Sequence, residues 1–111
     1  LLSLADVGIY LMDDNLLNRA KCPVKLADMA GMGIPVVGEA VGQVPEYVIH
    51  GKTGLLCPSG DIEGLSKALI SLLRQPALRE QYAHAARQHI QTHFSWSILA
   101  NRLATHYENL L

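Results

Sequence analysis

Cys22-Pro23-Val24-Lys25-Leu26-Ala27-Asp28-Met29-Ala30-Gly31-Met32-Gly33-Ile34-Pro35-Val36-Val37 places a helix start, a helix stop and a strand in one short stretch. Proline has a fixed φ and no N–H to lose, so Pro23 suits the first helical position and a helix is expected over residues 23–32. The amides of Val24, Lys25 and Leu26 are then free at the positive end of the helix, where an anion fits. Lys25 adds a mobile cation beside them, and Asp28, one turn further on, can accept hydrogen bonds from neighbouring hydroxyls. Asp28 stands in an otherwise apolar helix, where an acid without a partner is costly. Phosphate next to a sugar hydroxyl is the chemistry of a nucleotide. The plain alternatives are a helix start with nothing bound and, for Lys25, a solvated surface cation. Gly33 breaks the helix, and the β-branched residues 34–37 predict a strand.

Working outward, the apolar run 7–11 predicts a strand of a buried parallel sheet that delivers the chain to a polar loop, residues 12–22, carrying Asp13, Asp14, Arg19 and Lys21. Downstream, a loop over 38–43 contains Gly38 and Gly42, which serve turns or a close approach to a ligand. A short helix over 44–49, a turn at 50–54 and a third strand at 55–57 follow. The remainder reads as helix: Asp61 caps a helix with Ile62, Leu65, Leu69, Leu72 and Leu73 on one face, and Pro76 opens a second with an Ala-rich stripe. Ser95 caps a third, with Trp96, Leu99, Leu103, Tyr107 and Leu110 facing inward. Strand, loop, helix, strand is α/β alternation, here a partial Rossmann-like parallel sheet with C-terminal helices.

With 111 residues, half of them hydrophobic, residues 1–111 form a single unit with one core. A net charge of −1 gives no broad basic field, which argues against nucleic acid as a partner. Two cysteines make no disulfide framework and suit reduced thiols in the cytoplasm; no signal peptide or membrane-spanning run is visible. His89 and His93 lie one helical turn apart without a third ligand, so they read as surface histidines and no metal is implied. Cys22 at a helix start suits a lowered pKa, with no histidine near it in sequence. The absence of G-x-G-x-x-G disfavours a dinucleotide oxidoreductase, and no cofactor is expected. The start at Leu1 predicts that the chain is a piece of a longer one.

Five motifs then fall in order: Gly33-Ile34-Pro35-Val36-Val37, Gly42-Gln43-Val44-Pro45-Glu46, Gly51-Lys52-Thr53-Gly54-Leu55-Leu56, Pro58-Ser59-Gly60-Asp61 and Phe94-Ser95-Trp96. In this order and spacing the chain resembles the latter half of the C-terminal nucleotide-sugar-binding domain of family 4 (group 1) glycosyltransferases. The resemblance implies the GT-B architecture, two Rossmann-like domains facing across a cleft, and hexosyl transfer from a nucleotide-diphosphate sugar with retention of configuration. It also implies a missing N-terminal acceptor domain, so the fragment alone is expected to be inactive. The family's pair of glutamates, with seven residues between them, places its ribose-binding member on Asp28 and its donor-sugar member on Ala20, which has no polar atom.

The resemblance therefore makes Pro23, Val24, Lys25, Leu26 and Asp28 the donor-binding residues, with Lys25 stabilising the departing diphosphate. Asp13, Asp14 and Gly42 become candidate donor-sugar contacts. Glu46, after Pro45, is expected to be structural, receiving backbone amides from its loop. The parent protein is expected in the cytoplasm or at the membrane surface. A second class of function stays open: a non-catalytic nucleotide-sugar-binding or protein-interaction module, suggested by Ala20 and the lack of an acceptor domain. Open apolar edges predict self-association of the fragment.

Overall fold

The computed structural model describes residues 5–111. Its sheet has three parallel strands in chain order, β1 (Gly8–Tyr10), β2 (Val36–Glu39) and β3 (Gly54–Cys57), with β2 in the centre. Gly8 lies opposite Val36, and Val36 opposite Gly54. Parallel strands need a return crossing between them. From β1 to β2 the chain runs through α1 (Leu16–Arg19) and α2 (Val24–Gly31), and from β2 to β3 through α3 (Val44–Tyr47). Three helices follow: α4 (Ile62–Arg74), α5 (Pro76–His93) and α6 (Trp96–Leu110). The α/β class expected from the sequence is the one observed.

Neighbouring residues of β2 point to opposite faces and nucleate two cores, in place of the single core expected from the chain's length. Val36 joins Leu26, Met29, Ile34, Val44, Tyr47 and Val48 on one face, while Val37 meets Leu72 and Tyr82 on the other. Helix α5 serves both, with Tyr82 in the second core and Ile90, followed by Phe94 just beyond the helix, against the first. The sheet is thus sandwiched, α2 and α3 on one side and α4 on the other.

Local chemistry sets the element ends. Gly33, at φ +73°, sends its N–H to the Ala30 carbonyl at 3.0 Å, and Ile34 sends its own to Met29 at 2.9 Å. These paired bonds close α2 as a Schellman turn. Arg87 packs over Gly33 in the space a Cβ would take. Because Ile34 belongs to this turn, the strand expected at 34–37 instead starts at Val36 and runs to Glu39. Gly38 therefore lies in the strand, where a Cβ would stand 2.8 Å from the Tyr10 carbonyl oxygen. Asp61 caps α4 by accepting the Gly64 N–H at 2.9 Å, and Ser95 caps α6 through the Ile98 N–H at 3.3 Å.

Three expectations are corrected. Strand β1 spans Gly8–Tyr10 and is not fully buried: it forms the edge of the sheet, with Ile9 and Leu11 half exposed or more. In α4, Leu72 is completely buried, but Ile62 and Leu73 are exposed, since Ile62 opens the helix and Leu73 turns off the contact line. In α6, Trp96, Leu103, Tyr107 and Leu110 face solvent, Trp96 at 88% exposure. Only the first turns of α6 touch the body, through half-buried Ile98 and Leu99. The projecting helix raises the radius of gyration to 15.1 Å, against roughly 13 Å for a compact chain of this length.

Candidate functional site

All three strands direct their carboxyl ends to one side, the side on which open parallel sheets bind ligands. A cavity of about 750 Å³ opens there, between the loop that leaves β1 and the start of α2. Met12, Asp13 and Lys21 line it from the loop, Val24 and Lys25 from α2, and Glu39 from the end of β2. Part of the loop is itself helical. Asn15 caps α1 by accepting the Asn18 N–H at 2.8 Å, a local signal that the loop expectation passed over.

The helix start differs from the expectation. Pro23 occupies the N-cap with φ −82° and ψ 72°, not the first helical position. That ψ folds neighbouring carbonyls over the helix end: Val24 N–H donates to the Cys22 carbonyl at 2.9 Å and Leu26 N–H to that of Pro23 at 3.0 Å. Of the three amides expected to be free, only that of Lys25 has no acceptor among the described residues. Pro23 is buried and Leu26 wholly so, its side chain belonging to the core, while Val24 and Lys25 are exposed at the cavity. Anion-holding capacity here comes from one amide and the cations Lys25 and Lys21.

Asp28 is exposed, so solvation removes the burial cost expected of it. It lines a second hollow of about 620 Å³ with Ile9, Tyr10, Leu11, Lys25 and Met29. Lys25, Tyr10 and Leu11 border both spaces, so the two adjoin. Asp14 turns instead to Arg19, with bonds of 2.5 and 3.0 Å. The guanidinium holds the Asp14 carboxyl below its ordinary range. Gly42, at φ +57°, approaches the Arg19 backbone, 2.8 Å from Cα for a Cβ built there, and does not line the cavity. Ala20 is the exposed C-cap of α1.

The role expected of Glu46 is performed by Glu39. Among the described residues no amide reaches the Glu46 carboxylate; it is the Glu46 carbonyl that pairs, 2.7 Å from His89 Nε2. Glu39 accepts the Met12 N–H at 2.7 Å on one oxygen and the Gly60 N–H at 3.0 Å on the other. Its position at the carboxyl end of the central strand was the available signal. His89, read as a surface histidine, is half-buried and packs edge-on against Phe94. Phe94 stacks on Tyr47 with centroids 4.4 Å apart, and the Tyr47 hydroxyl lies 3.3 Å from Cys22 Sγ. Cys57 is a buried free thiol whose pKa burial pushes up.

Against known proteins, the sequence model described as glycosyl transferases group 1 matches residues 6–89. The chain belongs to the group 1 glycosyltransferases. This group 1 chain is 38% identical over 80 residues to a glycogen synthase of Mycobacterium tuberculosis, covering 72% of this chain and 19% of that protein. It is 28% identical over all 111 residues to an N-acetyl-alpha-D-glucosaminyl L-malate synthase of Bacillus anthracis, covering 28% of that protein. Among solved structures, sucrose-phosphate synthase from Thermosynechococcus elongatus superposes with a TM-score of 0.74 at 29% identity, over 80% of this chain and 22% of that one. The chain thus spans 19% to 28% of the length of these two curated relatives. Its sheet and C-terminal helices are those of a GT-B glycosyltransferase. Among the described residues no helix is long and apolar enough to cross a membrane.

Proposed function

We propose that this chain is the donor-binding part of a retaining hexosyltransferase, in a longer protein whose N-terminal domain holds the acceptor. The observation that carries the proposal is the pair of adjoining hollows at the carboxyl ends of the strands, joined at Lys25. The diphosphate of a nucleotide sugar lies in the first, against the Lys25 amide and the Lys25 and Lys21 ammonium groups. Its ribose lies in the second, where Asp28 accepts the sugar hydroxyls and Ile9 and Leu11 offer apolar surface. Asp13 is the loop carboxylate nearest in role to the acid that Ala20 lacks. Charge grows on the diphosphate as the glycosidic bond breaks, and a cation placed there in advance lowers that barrier. Neither a metal nor a protein nucleophile is needed for this contribution.

Calorimetric titration with UDP, GDP and ADP tests the assignment. Charge-assisted hydrogen bonds contribute about 1.5–3 kcal/mol, so Lys25→Ala and Asp28→Ala each raise Kd by about tenfold or more. Unchanged affinity in both variants removes these residues from the site. Ala20 favours one other reading, a nucleotide-sugar-binding module without transfer. Donor turnover by the parent protein separates the two, because a binding module takes up the donor and leaves it intact.

A further inference from the structure

Glu39 closes a small ring of backbone contacts that the donor-site reading leaves unused. One carboxylate oxygen takes the Met12 N–H at 2.7 Å and the other takes the Gly60 N–H at 3.0 Å. The Ser59 hydroxyl, next to Gly60, donates to the Met12 carbonyl at 3.3 Å. Met12 is therefore held at both backbone groups by residues far away in the chain, and its side chain is buried as well. The loop that begins there carries Asp13 and Lys21 to the cavity; its own bonds are short-range, from Asn18 to Asp13 and Asn15, and its far end is tied at Cys22, which meets the Tyr47 hydroxyl. Its Asp14–Arg19 pair is exposed, and α1 contains no buried residue.

We propose that Glu39 is a positioning residue of the donor site: it fixes the β1–α1 loop to β2 and to the β3–α4 turn, so that Lys21 and Asp13 stand where the donor lies. This rests on the donor-site reading. Charge alone would count against a carboxylate in the wall of an anion site. Two backbone N–H groups directed at it offset part of that repulsion and make it a rigid tether. A tether of this kind acts on what the loop carries and leaves what α2 carries untouched, which separates positioning from general support of the fold.

The test is a set of double-mutant cycles read by calorimetry with UDP, GDP and ADP on the full chain. Glu39→Ala raises Kd about tenfold, while Glu39→Gln, which retains one acceptor, raises it about threefold, as expected for losing two or one charge-assisted bonds that act indirectly. In the Glu39→Ala background, Lys21→Ala loses most of its own effect, because the loop no longer presents that lysine. Lys25→Ala, borne by α2, keeps its full effect. Amide hydrogen exchange at Met12 and across residues 13–21 accelerates in both Glu39 variants, and α2 stays protected. If Glu39→Ala does not fold, Glu39→Gln carries the same cycles at smaller amplitude. Affinity within twofold of wild type in both variants, or a Lys21→Ala effect that survives intact beside Glu39→Ala, overturns the inference alone. A wild-type chain that takes up none of the three nucleotides overturns the donor-site reading and this inference with it.

Discussion

Tyr47 shows how much one side chain can connect. Its ring stacks on Phe94 at the end of α5, and its hydroxyl meets Cys22 at the entrance to α2. The bond to Cys22, then burial, then the nearby charges push its pKa up to about 12 from an ordinary 10. A tyrosine that stays protonated longer in the folded state contributes stability that is fully present below pH 10 and is lost as pH rises toward about 12. Stability measured by urea midpoint therefore declines across that window, and Tyr47→Phe flattens the decline. With Cys22→Ala, tyrosinate absorbance shows one of the four tyrosines titrating earlier than in wild type. Legibility at this scale depended on whether a residue's role was local. Asp61 and Ser95 were readable as caps because a cap needs only its own next turn. Glu39 and Glu46 were not distinguishable, since only the folded chain brings Met12 and Gly60 to the former.

At the scale of elements, the Schellman turn at Gly33 holds α2 to β2 and so sets where the cavity wall begins. A left-handed residue with a Cβ costs about 1–2 kcal/mol, and here Arg87 must also move. Gly33→Ala thus lowers stability by about 2 kcal/mol, from the backbone cost plus the displaced contact. Chemical denaturation checks this: the midpoint falls while the slope with denaturant is unchanged. The helices and the α/β order were legible because breakers and caps such as Gly33, Pro76 and Asp61 punctuate the chain. Strand limits were not, because the ladder begins where β1 first finds a carbonyl, with Gly8 N–H on Pro35 at 2.9 Å. No spacing rule contains that register. The apolar stripe of α6 misled for a related reason: helical periodicity tells which residues share a face, and it is silent on what that face meets.

At the scale of the whole molecule, the described residues include two unsatisfied apolar surfaces, the outer side of β1 with Ile9 and Leu11, and the projecting stripe of α6 with Trp96, Leu103, Tyr107 and Leu110. Apolar surface of this kind favours contact with another chain. The isolated chain is therefore expected to self-associate, and sedimentation velocity at rising concentration shows a species heavier than the monomer. Added salt leaves that association in place, because its driving force is apolar. A single heavier-free boundary at high concentration contradicts it. The parallel sheet has one further consequence. Its strands begin on the side where closures such as Pro35 to Gly8 keep the ladder aligned, and they finish on the side where the hollows lie. Upkeep and selectivity are thereby assigned to opposite poles, and a lineage can rewrite what it grips, by lengthening or exchanging one connecting segment, while its frame is inherited unaltered.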